Sequence, residues 1–355
     1  MEICILGMRG NFDKNLGQGV QIYNYQIWNN LKRIVRPPSN VEKVELGFGE
    51  SPITRKISFT IAEALYSFSK YDIVHLPSPV MFNPRTKGST VTTLHELFLI
   101  EKDHPLASNT PSPSLNVQTL PNPFIDTRIR MQIMESNYLL PNSTQTFLEA
   151  KKAGYPTDRM FMINHAIDDK FSRSSRKPRK HSRFTVGYLG SMHARKNVQF
   201  AIKAFKSFKA KSAKFNIWGK IRPEYKQLLQ MAADDRRITF MGFAPEETKA
   251  DIYLGFDVFL FPSLYEGFGV EILEAQALGI PVIVCKSGSI PKETRKYCFE
   301  AEDEDHMAQI IENIMENGYS RSRRDSAARY ARSFNWEKCA AETMNAYREI
   351  LKREG

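Results

Sequence analysis

The sequence predicts an α/β protein made of two doubly wound, mostly parallel domains. Its 355 residues exceed what one hydrophobic core usually holds, so two domains are expected. Short apolar or β-branched runs alternate with amphipathic helical patterns, which is typical of βαβ units. This alternation stops at a basic segment, residues 170–183, and then begins again. The chain should therefore contain two separate sheets with a linker between them.

The first half follows the alternation from its start. Apolar runs predict strands at residues 2–7, 41–46, 72–76, 89–94, 137–140 and 159–163, and amphipathic patterns predict helices at 19–34 and 57–68. Residues 103–124 contain five prolines among serines and asparagines. An irregular segment of this length is often functional, so we expect a lid over the carboxyl edge of the strand that ends at Leu94.

The second half restarts the pattern at residue 184. Strands are predicted at residues 184–190, 214–219, 237–242, 256–262 and 281–285, and helices at 197–209, 224–233, 246–253 and 270–278. The segment before it, residues 170–183, carries seven basic residues and no acidic one, which predicts an interdomain linker.

Composition limits the class of protein. Hydrophobic residues make up 42% and charged residues 25%, which excludes a mostly disordered, collagen-like or coiled-coil chain. The net charge of +11 suggests an anionic partner: a nucleic acid, a membrane surface or a phosphorylated substrate. The excess is local, with seven charges in residues 170–183 and a net four in residues 320–332. Two interpretations stay open, a solvated surface that aids solubility and contact with an anionic membrane that carries a lipid-linked acceptor.

The four cysteines, Cys4, Cys285, Cys298 and Cys339, form no CxxC pair and no cluster with histidine. Neither a disulfide framework nor a metal site is therefore expected, and a reducing, cytoplasmic compartment fits best. The apolar start is too short for a signal peptide, and no stretch approaches the length of a membrane span.

Ligands of open α/β sheets bind where loops leave the carboxyl ends of strands. The strongest candidate is residues 262–274, where an apolar strand is followed by Gly267, Phe268 and Gly269 and then by a helix that opens near Val270. Bare backbone N–H groups and a helix amino terminus favour a phosphate or sugar ligand. Glu266 and Glu274 could bracket an extended ligand; the alternative is a glycine turn followed by a solvated glutamate.

Gly190, Arg195 and Lys196 form the second candidate, at another strand-to-helix turn. Cations at a helix start oppose the helix dipole, so an anion such as a diphosphate is expected to offset them. A plain surface pair of cations is the alternative.

Two weaker candidates lie in the first half. Gly17 and Gly19 precede the first long helix, but GxGxxG is absent, which argues against a dinucleotide, and no GxxxxGK[ST] occurs, which argues against a nucleoside triphosphatase. His95 follows a predicted strand directly, beside the proline-rich segment. It is either a functional group at the sheet edge or a hydrogen-bonded structural histidine.

These motifs together resemble the family-four retaining glycosyltransferases of the GT-B fold. Glu266 and Glu274 match the E-x7-E motif of that family, and residues 195–197 match its RKN phosphate loop. The surrounding PS-x-x-EGFG-x-x-x-LEA block also matches, and residues 334–351 resemble the terminal helix that crosses back to the amino-terminal domain.

The resemblance implies two Rossmann-like domains that face a central cleft. An acceptor-side domain would comprise residues 1–169 and 336–355, followed by the linker 170–183 and a nucleotide-sugar domain 184–335. A hexose would move with retention from a UDP- or GDP-sugar to a glycan or lipid-linked acceptor, without a metal or other cofactor. The alternatives are a GT-B nucleotide-sugar 2-epimerase and a non-catalytic scaffold that binds nucleic acid or anionic lipid. For an enzyme, no nucleic acid partner is expected.

The resemblance also assigns roles to residues. Glu274 would bind the ribose hydroxyls, Glu266 the donor sugar, and His95 the sugar or the reacting face. Arg195, Lys196 and the helix start at Gly267, Phe268, Gly269 and Val270 would stabilise the departing diphosphate, with Gly17, Gly19 and Gly190 beside the donor. The family's mechanism is a front-face displacement in which the leaving phosphate helps to deprotonate the acceptor. The enzyme would be cytoplasmic, either free or peripheral at a membrane.

Overall fold

The computed structural model describes residues 1–8, 19–46, 66–79, 83–96, 123–174, 182–192, 194–221 and 226–355. The chain divides into two compact units: Met1–His165 with Trp336–Gly355, and Ala166–Asn335. The first unit ends at His165, four residues before the predicted boundary at 169. The reason is that the Ile167 N–H donates to the Phe334 carbonyl at 2.9 Å, which binds this segment to the second unit.

The first unit contains a parallel sheet with strands β1 (Glu2–Met8), β2 (Asn40–Leu46), β3 (Ile73–Leu76), β4 (Ser89–Leu94) and β5 (Tyr138–Pro141). Among the described residues their order is β2-β1-β3-β4-β5. Strands β3, β4 and β5 are buried along their whole length, as expected of a parallel sheet covered on both faces. The strand predicted at 159–163 is wrong, because Met160 makes only an isolated bridge to Leu139.

The described residues of the first unit contain the helices α1 (Gly19–Ile34), α2 (Pro123–Glu135), α3 (Thr144–Lys152) and the terminal α12 (Trp336–Glu354). Helix α1 buries Tyr23, Ile27 and Leu31, which are spaced four residues apart and share one face. Most of the predicted helix 57–68 and of the predicted lid 103–124 lies outside the described residues. Of the lid, only its end is described, as the start of α2 at Pro123.

The second unit contains strands β6 (Thr185–Leu189), β7 (Lys214–Trp218), β8 (Ile238–Gly242), β9 (Val258–Phe261), β10 (Val282–Cys285) and β11 (Phe299–Ala301). Their order among the described residues is β11-β10-β9-β6-β7-β8, and every pairing is parallel. Because β6 lies next to β9, the loops that leave these two strands emerge side by side at the carboxyl edge.

The helices of this unit connect or flank those strands. They are α4 (Asp169–Ser172), α5 (Val198–Ser207), α6 (Gln227–Ala232), α7 (Lys249–Tyr253), α8 (Val270–Ala277), α9 (Lys292–Arg295), α10 (Glu304–Asn317) and α11 (Arg321–Arg332). Helix α4 corrects the predicted linker 170–183 at its start, since Asp168 caps it and Phe171 is fully buried in the core of this unit. Residues 175–181 of that segment lie outside the described part.

Candidate active site

The loop after β9 is fixed by backbone contacts to the segment around Ser289. The Ser289 N–H donates to the Leu264 carbonyl at 2.8 Å, and the Glu266 N–H donates to the Ser289 carbonyl at 2.9 Å. Gly288 permits this approach, because a Cβ atom there would lie 2.4 Å from the Ser263 carbonyl oxygen. The loop therefore holds Glu266 in a defined place on the carboxyl edge.

The glycine turn that follows leads into helix α8. Gly269 has a φ of 87°, a left-handed conformation that favours glycine, and Val270 is the first helical residue. The buried Thr294 hydroxyl donates to the Phe268 carbonyl at 2.8 Å. Since the C=O and N–H of a trans peptide point in opposite directions, this bond turns the Gly269 N–H away from Thr294.

The loop after β6 is joined to the loop after β9. It leaves the strand at Gly190, whose N–H donates to the Trp218 carbonyl at 3.1 Å. A 3-10 turn, Ala194–Lys196, then brings the Arg195 carbonyl within 2.8 Å of the Leu264 N–H. The Arg195 guanidinium donates to the Tyr265 carbonyl at 3.1 Å. Two loops that are far apart in sequence thus form one surface.

Glu266 lies between the two cations of this surface. Its Oε1 is 2.8 Å from Lys196 Nζ and its Oε2 is 3.0 Å from Arg195 Nη1. Burial raises the pKa of the carboxyl group, but Arg195 and Lys196 outweigh burial and lower the pKa to about 2. Glu266 is therefore ionised at neutral pH, and both cations already face an anion.

Lys196 also contacts a second carboxylate. Its Nζ lies 3.3 Å from Glu271 Oε1, in the first turn of α8, and 4.8 Å from the centre of the Phe261 ring. The side chain is only 4% exposed, so the ammonium group needs these partners in place of water. Sequence reasoning did not identify Glu271; the signal available was its position two residues after Gly269, in the first turn of the predicted helix.

Glu274 belongs to a different cluster of the same unit. The Tyr253 hydroxyl donates to Glu274 Oε2 at 3.0 Å, and Lys249 Nζ lies 3.8 Å from that oxygen. Burial raises the pKa of Glu274 to about 7, against the opposing effect of Lys249. Tyr253 and Lys249 were missed from the sequence because no local motif links them to Glu274.

His95 lies in the first unit, directly after β4. Its Nε2 is 2.7 Å from the Pro77 carbonyl oxygen, which can only accept, so Nε2 carries the proton. Burial lowers the pKa of His95 to about 4, so the ring is neutral at neutral pH. Aromatic rings lie close to the His95 ring. The ring centre of Tyr23 is 4.7 Å from that of His95 and 5.7 Å from that of Trp336, and the ring centre of His165 is 5.9 Å from that of His95.

The structure brings together Arg195, Lys196 and Glu266, and the turn from Gly267 to Val270 follows directly in the chain. Gly190 begins the loop that carries the two cations. Gly19 is the first residue of α1, whereas Gly17 lies outside the described residues. Within the described ranges, no three His, Cys, Asp or Glu side chains form a group able to hold a metal ion.

Sequence comparison now identifies what this arrangement resembles. Residues 183–317 match the family model described as Glycosyl transferases group 1. The matched range lies entirely in the second unit and contains every site residue described above for that unit. The resemblance to the family-four glycosyltransferases of the GT-B fold is confirmed.

A curated relative and two solved structures extend the comparison. O-antigen chain mannosyltransferase B of Escherichia coli is 27% identical over 172 residues, 45% of this chain and 45% of that protein, so less than half of its length is matched. Sucrose-phosphate synthase from Thermosynechococcus elongatus superposes with a TM-score of 0.72 at 16% identity, covering 99% of this chain and 100% of the other. Anabaena HepE, in complex with UDP and glucose, gives a TM-score of 0.64 at 15% identity, covering 98% and 100%. These similarities confirm the predicted fold class, the two-domain GT-B architecture.

Proposed function

We propose that this protein is a retaining glycosyltransferase that moves a hexose from a UDP- or GDP-sugar to a glycan or lipid-linked acceptor. The observation that carries the proposal is the pairing of Arg195 and Lys196 with Glu266, directly before the glycine turn that opens α8. Two cations and a helix amino end meet there, which is the chemistry that a diphosphate requires. The similarity to a structure solved with UDP and glucose supports the same donor class.

Departure of the diphosphate is the step these groups would assist. Negative charge grows on the phosphate oxygen as the glycosidic bond breaks, and fixed positive groups in a site of low polarity stabilise it. Lys196 is almost fully buried, so its charge acts with little screening by water. The two cations would perform the electrostatic task that a divalent ion performs in other transferases, and we propose that no metal or other cofactor is required.

The two carboxylates would bind the other parts of the donor. Glu266 would accept hydrogen bonds from sugar hydroxyls, and Glu274 would accept them from the ribose. His95, as a neutral ring with its Nε2 proton held by Pro77, would contact the sugar or the reacting face. The leaving phosphate would help to deprotonate the acceptor, so the mechanism assigns no protein nucleophile.

The first experiment is a thermal-shift comparison of UDP, GDP and ADP. A ligand at 100 times its Kd adds about 2.7 kcal/mol of stability, which is readily measured. Binding of UDP or GDP, and its loss in Glu274→Ala and Lys196→Ala with both variants still folded, is the expected result. Full donor turnover in both variants would refute the site assignment.

Product analysis separates the alternatives. A 2-epimerase would release free nucleotide and an altered sugar without any acceptor, whereas a transferase would form a glycoside whose anomeric configuration equals that of the donor. A scaffold would bind no nucleotide sugar and would show salt-sensitive binding to nucleic acid or anionic lipid instead. Binding of UDP or GDP would argue against that alternative.

An anionic membrane remains a proposed partner, and with it a cytoplasmic or peripheral location. Three of the arginines in the basic segment 320–332 are bound to backbone carbonyls of the protein itself. Arg323 and Arg324 donate to the carbonyls of Cys298 and Tyr319, and Arg332 donates to that of Ala277. The exposed cations of α11 are Arg321 and Arg329. Among the described residues, no helix is long and apolar enough to cross a bilayer. Co-sedimentation with anionic vesicles, compared with neutral ones, tests this partner, and equal binding to both would remove it.

A further inference from the structure

The carboxylate of Glu274 is anchored at one oxygen only. Tyr253 donates to Oε2 at 3.0 Å, and Lys249 Nζ lies 3.8 Å from the same atom. Within the described residues, neither a hydrogen bond nor an ion pair reaches Oε1. Tyr253 is fully buried and Glu274 nearly so, so bulk water does not substitute for these partners.

Lys249 also pairs with Glu246, which in turn pairs with Lys170. Lys249 Nζ lies 3.0 Å from Glu246 Oε2, and Glu246 Oε1 lies 2.8 Å from Lys170 Nζ. Lys170 also donates to the Glu246 backbone carbonyl. Alternating charges therefore run from Lys170, at the start of the predicted linker, through Glu246 and Lys249 to Glu274.

We propose that Tyr253 and Lys249 are positioning residues for Glu274, which fix its Oε2 so that Oε1 is presented to the ribose hydroxyls of the nucleotide. The inference rests on the proposed function, in which Glu274 binds ribose. A carboxylate that is already oriented loses less conformational freedom when the ligand arrives, so affinity for the hydroxyls increases.

The two positioning residues have separate tasks. Tyr253 supplies direction, because a phenol hydroxyl donates one bond from an O–H that lies near the plane of a rigid ring. Lys249 supplies charge: burial of Glu274 favours its protonated form, Glu246 and Glu271 add to that effect, and Lys249 and Lys170 oppose it. Protonation of Oε1 would replace part of its acceptor capacity with a donor, whereas the ionised carboxylate can accept from both hydroxyls, so Lys249 supports the form that binds.

The test measures how strongly the protein distinguishes a ribonucleotide from its 2′-deoxy form. UDP, GDP and their 2′-deoxy analogues are titrated by calorimetry at pH 7 into wild type and variants. Wild type should prefer the ribonucleotide by about tenfold or more, since the hydroxyl bonds to a charged acceptor. Tyr253→Phe should reduce that preference to about threefold or less, because it lowers the affinity for the ribonucleotide more than that for the 2′-deoxy form, which keeps only the 3′-hydroxyl.

Tyr330→Phe is the matched control, because its hydroxyl donates to the Glu293 backbone carbonyl at 2.9 Å in the same unit. It should keep the wild-type preference. Lys249→Met should lose the preference at pH 7 and regain part of it at pH 9, where Glu274 ionises without its counter-ion, and Lys249→Arg should restore it at pH 7. Circular dichroism and thermal unfolding confirm that each variant is folded.

The possible results distinguish a failure of the proposed function from a failure of the positioning role of Tyr253 and Lys249. Failure of wild type to bind either ribonucleotide refutes the proposed function itself. Binding of wild type with an unchanged preference in Tyr253→Phe and Lys249→Met refutes only the positioning role. A wild type that binds both sugar forms equally refutes the assignment of Glu274 to ribose, and the inference with it.

Discussion

Replacing Glu274 with glutamine should stabilise the folded protein at alkaline pH, although it removes a proposed ligand contact. Burial raises the pKa of Glu274 from 4.5 to about 7, so the folded state keeps a proton that the unfolded chain has released. At about 1.4 kcal/mol per pKa unit, ionising this buried carboxyl group lowers the free energy of unfolding by about 3 kcal/mol. The contribution of Glu274 to the free energy of unfolding of wild type therefore falls as pH rises from about 4.5 to about 7. Glutamine does not ionise, so the variant keeps its stability over this range.

Thermal unfolding of wild type and Glu274→Gln at pH 5 and pH 8 measures the effect. About 3 kcal/mol corresponds to a Tm increase of about 6–12 °C in a domain of 150–250 residues, expected at pH 8 and much smaller at pH 5. Glu246→Gln is a control of opposite sign: burial raises the pKa of Glu246, but Lys249 and Lys170 outweigh it and lower the pKa. That variant should be less stable than wild type at pH 8. A Glu274→Gln protein that is no more stable than wild type at pH 8, or whose advantage does not grow with pH, would refute the reasoning.

Three further outcomes follow from the site. Lys196→Met removes a buried cation and should abolish both the binding of UDP or GDP, measured by calorimetry, and donor turnover, measured by a product assay. Lys203 has a side chain that is 59% exposed, and Lys203→Met should leave both quantities unchanged. The pKa of Glu266 is lowered to about 2 because its two cations outweigh burial, so the ionised group stabilises the fold above about pH 4.5 and this stability is lost as pH falls toward 2. In Glu266→Gln, the free energy of unfolding in urea should therefore fall less steeply between pH 4.5 and pH 2 than in wild type. An equally steep fall in both proteins would contradict this. Thr294→Val leaves the Phe268 carbonyl without its partner and should lower the free energy of unfolding in urea by about 1–3 kcal/mol, whereas Thr294→Ser should keep most of it.

Local patterns were sufficient for five of the six described strands of the second sheet and for the loops that leave β6 and β9, whereas the three-residue strand β11 was not predicted. Residues that act together there, such as Arg195 and Lys196 or the turn from Gly267 to Gly269, are adjacent in the chain, so a strand end and a glycine turn place them without further information. The predicted strand 159–163 shows the limit of such patterns. An apolar run fits a strand, and this segment does lie beside β5, where the Phe161 N–H donates to the Leu139 carbonyl at 3.0 Å and the Ile163 N–H donates to the Pro141 carbonyl at 2.9 Å. These bonds amount to one isolated bridge, between Leu139 and Met160, and not to a strand.

The sequence by itself therefore determined the α/β class, the two sheets, the glycine turn and the identity of the cationic loop, because each is encoded over a few consecutive residues. Only the tertiary structure decided that Glu266 pairs with Arg195 and Lys196, that Tyr253 and Lys249 hold Glu274, and that Lys170 contributes to the second unit. The physical reason is strand order: β9 lies beside β6, which brings together loops separated by about 70 residues. Adjacency in a sheet arises from packing of the whole domain, and hydrophobic periodicity along the chain does not record it.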